Sequence, residues 1–321
     1  MKKLLDLAGI QKIWTYAPTL HSLMVATTFY CDLECPHCAS SCGKDNEQKY
    51  VPVQDIFDVV ELLQSVSGNV KYATQQAPGQ IHEVSGGRPY KNFIGLTGGE
   101  FTTVYEKHPA YISQIFDYAK KNKLILNLKS NGNIVNKDYY DAYKNDLSKL
   151  VGQQDYEPVI EVSVVRTHPG CVENYSKLIT DLQKIYKQPK IIYLVTGESH
   201  HDGYLTKMLK DIARNINQKV YNDNGHLKRP KHMGGNPILW QPFQRVGRMS
   251  NGARPIPDLG KNILEFRLNN DQTLNLHYCF ASLVSAKYRD DSGKMRLWQD
   301  ISAELEQKLL TYMNRNTNQK C

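Results

Sequence analysis

Short apolar runs rich in β-branched residues alternate along this chain with longer segments whose apolar positions recur every three or four residues. The first run, Leu23 to Phe29, reads as a buried parallel strand. Val53 to Val66 has apolar residues at 56, 59, 60, 63 and 66, which is helical spacing. Asn92 to Thr97 reads as a second strand, and Ala110 to Lys121 as a helix through Ile112, Ile115, Phe116 and Ala119. Leu124 to Lys129 is a third strand, stopped at Ser130-Asn131-Gly132, and Tyr139 to Leu150 is helical. Val159 to Val165 is a fourth strand, followed by a helix over Val172 to Lys187 with Tyr175, Leu178, Ile179 and Leu182 on one face. Lys190 to Val195 is a fifth strand; Leu205, Met208, Leu209 and Ile212 line a helix, and Ile238 to Pro242 is a sixth, short strand. Strands alternating with helices at roughly 30-residue intervals mean repeated βα units and a parallel sheet.

The margins of this pattern differ. Leu4, Leu5, Ala8, Ile10 and Ile13 suggest an amphipathic lead helix over residues 1–19. Residues 65–91 are polar and Gly-rich and read as a long inserted loop. Past about residue 246, Ile263 to Leu268 and Thr273 to Cys279 read as a β-hairpin, and Trp298 to about Asn314 as a last amphipathic helix. The expected organisation is therefore a lead helix (1–19), a main α/β domain (20–245) and a small carboxy-terminal α+β extension (246–321).

Bulk properties narrow this little. Forty Lys and Arg against thirty-two Asp and Glu give +8, a mild excess that solubility explains first and an acidic partner second. No stretch interleaves basic and aromatic residues as a nucleic-acid binder would, and none approaches the ~20 apolar residues of a membrane span. Asp6, Gln11 and Lys12 interrupt the amino-terminal apolar residues, so no signal peptide is expected. Seven cysteines, odd in number and clustered, argue against a secreted disulfide framework and for a reducing cytoplasm.

The cluster is where chemistry enters. Cys31-Asp32-Leu33-Glu34-Cys35-Pro36-His37-Cys38 places three thiols in eight residues, at the carboxyl end of the first strand. Zinc prefers paired Cys-x2-Cys knuckles from two segments, and no second pair follows. A ferredoxin run begins Cys-x2-Cys, and the first spacing here is x3. A four-iron cluster wants four ligands. If only Cys31, Cys35 and Cys38 bind, with Cys42 left out, one iron is open to a substrate or cofactor. Zinc and chance clustering stay as the rival readings.

The Cys-x3-Cys-x2-Cys run resembles the loop of the radical S-adenosylmethionine (radical SAM) superfamily, and Gly98-Gly99-Glu100 after the second strand resembles its GGE segment. The resemblance covers residues 20–245 and implies an α/β fold, a partial (β/α)6 TIM-like barrel. It implies one [4Fe–4S] cluster on Cys31, Cys35 and Cys38, with S-adenosyl-L-methionine on the fourth iron. His37 matches the aromatic or His residue before the third cysteine. Gly98, Gly99 and Glu100 are expected to hold the methionyl part of SAM, and Ser130, Asn131, Ser163 and Arg166 are candidates for the rest. Phe101 stands where the family often has Pro. An external one-electron reductant of flavodoxin or ferredoxin type is implied.

Cys171 after the fourth strand and Cys279 in the hairpin are candidate hydrogen donors to a substrate radical, as in radical SAM peptide epimerases; a small packed residue is the plainer account of either. The leading substrate expectation is a ribosomally made peptide, epimerised or crosslinked. A small metabolite or nucleoside is the second, and a non-catalytic iron–sulfur protein is the reading from another class.

Overall fold

The structure is a computed structural model that describes residues 23–36, 38, 40–67, 73–77, 80–83, 93–151, 158–165, 170–185, 191–197, 203–222, 230–242, 264–278 and 281–317. The fold is mixed α/β with a mostly parallel central sheet. The chain divides into two compact units: one of residues 1–27, 51–94 and 252–321, the other of residues 28–50 and 95–251. The expected lead helix lies outside the described residues.

The larger unit carries the βα repeats. Its strands are the end of β4 (Phe93–Gly98), then β5 (Ile125–Ser130), β6 (Val159–Val164), β7 (Ile191–Gly197), β8 (Val220–Asn222), β9 (Pro230–Met233) and β10 (Asn236–Pro242). They lie in the order β4-β5-β6-β7-β10-β9-β8. β5 with β6, β6 with β7 and β7 with β10 run parallel, while β9 turns back antiparallel on β10 and β8 on β9. The helices are α2 (Ala110–Lys121), α3 (Tyr140–Leu150), α4 (Cys171–Ile185) and α5 (Gly203–Asn215).

Side chains alternate along β5, so Leu126, Leu128 and Ser130 are buried while Asn127 and Lys129 are half-buried. α2 packs against β5 and α4 against β6. Their apolar stripes, Ile112, Ile115, Phe116 and Ala119 on α2 and Tyr175, Leu178, Ile179 and Leu182 on α4, are buried as the spacing predicts. Neighbouring positions in a parallel register share a face, and Lys129 lies beside Glu161, with Nζ 3.1 Å from Oε1. Strands β8 and β9 are additions to the expected pattern. In β9 polar residues take strand form by pairing with β8 and β10.

In the smaller unit β1 (Leu23–Thr28, its last residue excepted) is buried along its whole length. Its partner is β11 (Leu264–Leu268), which runs parallel to it with Leu23 opposite Phe266 and Val25 opposite Leu268. The expected hairpin is in fact a three-stranded meander: β12 (Thr273–Tyr278) pairs antiparallel with β11, and β13 (Ala281–Lys287) with β12. Helix α1 (Val53–Ser67) buries Ile56, Val59, Val60 and Leu63, and α6 (Trp298–Thr317) buries Ile301, Leu305 and Leu309. The expected loop at 65–91 holds a short antiparallel pair, β2 (Ala73–Ala77) with β3 (Gln80–Glu83). Its residues, ATQQA and QIHE, carry little apolar signal, which is why periodicity missed it.

One polar knot ties α1 to the residues after β13. The buried Asp55 carboxylate accepts from the Tyr288 hydroxyl at 2.7 Å and from Arg289 Nε at 3.0 Å. Arg289 also reaches Asp58 Oδ2 at 2.6 Å. Burial comes first in holding the Tyr288 phenol above its ordinary range, reinforced by the Asp55 hydrogen bond and charge. No described helix is long and apolar enough to cross a membrane.

Candidate active site

The cysteine loop is closed on itself by backbone. Tyr30 and Gly43 form an isolated parallel bridge. The Cys31 amide donates to Gly43 O at 3.2 Å, and the Gly43 amide to Phe29 O at 3.3 Å. Inside, the Cys38 amide donates to Cys35 O at 3.1 Å and the Ser41 amide to Cys38 O at 3.3 Å. Ser41 takes a left-handed φ of 53° to turn the chain, and the Cys42 amide then donates to Cys38 Sγ at 3.2 Å. Cys31, Cys35 and Cys38 are half-buried and in no disulfide, whereas Cys42 is buried with its Sγ turned to Ser40 O at 3.7 Å. His37 lies outside the described residues.

Gly98 and Gly99 bring the next segment against this loop. Gly98 has φ 102°, a conformation glycine adopts without strain. The Gly99 amide donates to Thr28 O at 2.7 Å, and the Glu100 amide to Tyr30 O at 3.2 Å. The approach leaves no space for a side chain, since a Cβ on Gly99 would stand 1.8 Å from Tyr30 O.

Glu100 is buried, and its carboxylate fastens the end of β5. Oε2 accepts from the Asn131 amide at 2.8 Å and the Ser130 hydroxyl at 3.4 Å; Oε1 accepts from the Thr102 hydroxyl at 2.8 Å. Burial raises its pKa to about 7, with the Asp32 charge adding to the rise and the Asn131 and Thr102 donors opposing it.

Asn131 has its side chain turned to the cysteine loop. Its Nδ2 donates to Asp32 Oδ1 at 3.3 Å and lies 3.7 Å from Cys31 Sγ, while its Oδ1 accepts from the Asn133 amide at 2.8 Å. Asp32 is buried, and its Oδ2 takes the Asn133 side-chain amide and Lys137 Nζ at 3.0 Å. Burial lowers the Lys137 pKa, but the Asp32 hydrogen bond and charge outweigh it and hold the ammonium above its ordinary range. Burial is also the chief reason the Cys31 thiol is pushed up to about 12, with the Glu100 and Asp32 charges adding to it.

The structure thus brings Cys31, Gly99, Glu100, Ser130 and Asn131 together. Ser163 is half-buried near the end of β6, and its carbonyl accepts the Tyr175 hydroxyl. Cys171 is the first residue of α4, and nothing of its side chain is described. Arg166 and Cys279 lie outside the described residues. Sequence reasoning missed Asp32, Asn133 and Lys137. An acid between the first two cysteines of so tight a run was the available signal.

The donor chemistry fits an iron–sulfur group: three soft thiols on one closed loop, none in a disulfide, with an amide donor beside one sulfur. Among the described residues no group of three or more His, Cys, Asp and Glu is disposed around a single metal ion.

No protein-family model matches the chain. Over 163 residues it is 25% identical to an S-adenosylmethionine-dependent nucleotide dehydratase of Psychrobacter lutiphocae, a match that takes in 50% of this chain and 50% of that protein. The chain therefore spans about half the length of that relative. Among solved structures, Streptococcus suis SuiB bound to S-adenosylmethionine aligns with 85% of this chain and 67% of its own, at a TM-score of 0.39 and 10% identity, a likeness too slight to argue from.

Proposed function

We propose that this chain is a radical SAM enzyme on a partial (β/α)6 barrel. Cys31, Cys35 and Cys38 would hold three irons of a [4Fe–4S] cluster, and S-adenosylmethionine would take the fourth. Together these groups supply, when bound, a 5′-deoxyadenosyl radical that abstracts hydrogen from a substrate. The observation that carries the reading is the joint between the two motifs. The Cys-x3-Cys-x2-Cys loop and Gly98-Gly99-Glu100, about 60 residues apart, are bonded backbone to backbone at Thr28 and Tyr30.

The chain's own residues then have distinct tasks. Gly99 lets the second motif lie against the loop without a side chain between them. Glu100 holds the β5 end and presents a carboxylate that an ammonium group would keep ionised. Ser163 and Arg166 remain candidates for the ribose and carboxylate of SAM, and His37 for its surroundings. Cys171 and Cys279 remain candidate hydrogen donors. A flavodoxin- or ferredoxin-type protein would deliver the electron.

Of the two substrate classes expected, the relative named a nucleotide dehydratase favours the small metabolite or nucleoside, taken here as a nucleotide, over a ribosomal peptide. The test is anaerobic reconstitution, then incubation with SAM and dithionite beside a panel of nucleoside mono-, di- and triphosphates and a panel of peptides. Formation of 5′-deoxyadenosine that rises with a nucleotide supports the reading. A rise with peptides alone moves the substrate to the other class. Reconstituted chain carrying iron but yielding no 5′-deoxyadenosine under any condition overturns turnover altogether.

A further inference from the structure

We infer that Asp32 and Lys137 form a charge-compensated anchor that positions Cys31 and sets the electrostatic surroundings of its sulfur. The inference rests on the reading of Cys31 as a cluster ligand. Asp32 follows Cys31 directly, and its side chain is only 7% exposed. A carboxylate buried beside a thiol that must carry negative charge is costly unless it is held and neutralised. Here it is both. Lys137 Nζ sits 3.0 Å from Oδ2, the Asn133 side-chain Nδ2 reaches the same oxygen, and Asn131 Nδ2 reaches Oδ1 at 3.3 Å. All three partners come from the single segment after β5, which Gly132 turns with φ 79°.

Asn131 is the bridge. Its side-chain amide lies between Asp32 Oδ1 and Cys31 Sγ, so the segment that grips the carboxylate also presents an N–H to the sulfur. Hydrogen bonds and charge around ligand sulfurs tune iron–sulfur potentials. The resemblance made Asn131 a candidate for SAM. Here its side chain turns to the loop, and Asp32, Asn131 and Lys137 act on Cys31 as positioning residues.

The charges give a signed test. Asp32→Asn removes a negative charge and leaves Lys137 unmatched, so the midpoint potential of the reconstituted cluster, read by reductive titration with electron paramagnetic resonance, should rise. Lys137→Met leaves Asp32 unmatched and should lower it. The double variant should return toward the wild-type value. A residue that merely braced the loop would move iron content or stability without this opposite-signed pair. Equal potentials in all four proteins overturn the tuning.

A second arm needs no iron. In the iron-free chain, Asp32→Ala should speed labelling of Cys31 by N-ethylmaleimide roughly tenfold, the effect on local opening of losing a charge-assisted hydrogen bond. Unchanged labelling overturns the anchor. Wild-type chain that takes up no iron would sink the proposed function alone, and the labelling arm would still decide the anchor.

Discussion

A methyl group on Gly99 would stand 1.8 Å from the carbonyl oxygen of Tyr30 and 2.6 Å from its carbonyl carbon. Both are backbone atoms, so no side chain can swing aside. Gly99→Ala should therefore cost about 3 kcal/mol or more, in the range of severe packing clashes. Gly203→Ala is the control, because nothing lies within 4 Å of a Cβ there. It opens α5 and should be neutral or mildly stabilising. Equilibrium unfolding in urea separates the two.

Glu100 makes stability depend on pH with a sign opposite to the usual carboxylate. Its pKa is about 7 in the folded chain against an ordinary 4.5, so the folded state holds the proton over the window between them. Below 4.5 both states are protonated and nothing is lost. As pH rises from 4.5 toward 7 the unfolded chain gives up this proton while the folded chain keeps it, and stability should fall by roughly 3 kcal/mol through this residue. Glu100→Gln should flatten that contribution. Unfolding free energies of both proteins across the window, taken as a difference, check it.

The thiols divide into three plus one. Cys35→Ser should abolish iron uptake on reconstitution, since Cys35 lies half-exposed in the closed loop. Cys42→Ser should keep the iron and lose about 1 to 2 kcal/mol of stability, because Cys42 is buried. Iron per chain and urea unfolding on each variant give the two readings.

The other unit has its own weak point at Asp55. With side-chain exposures of 7% and 15%, the Asp55–Arg289 pair is a buried one. Asp55→Ala leaves the guanidinium without its main partner and should cost about 3–5 kcal/mol. Asp55→Ala with Arg289→Ala should cost less than the sum of the two single changes. A thermal or urea double-mutant cycle shows whether it does.

The strands and helices that periodicity could reach were legible because each buries a continuous stripe; β1, β5, α2 and α4 lie within a residue or two of their expected bounds. The elements that were missed carry no such stripe in their sequence. β2, β3, β8 and β9 are short and polar, and their form comes from the strand beside them rather than from their own sequence. β13 followed a segment already read as a finished hairpin, and only pairing with β12 reveals it. In the site, cysteine spacing and the Gly-Gly-Glu segment were readable, being short-range patterns. The Asp32–Lys137 pair joins residues far apart in the chain and leaves no local trace, so only the fold could supply it.

The 3-10 turn Phe101–Glu106, directly after Glu100, buries Phe101, Thr102, Thr103, Val104 and Tyr105. Tyr105 stacks on Tyr139 with ring centres 5.8 Å apart and donates its hydroxyl to Asp146 at 2.9 Å. This stretch is a floor and not a flap. A stretch fastened at so many points opens rarely on its own, so its amide hydrogens should exchange slowly.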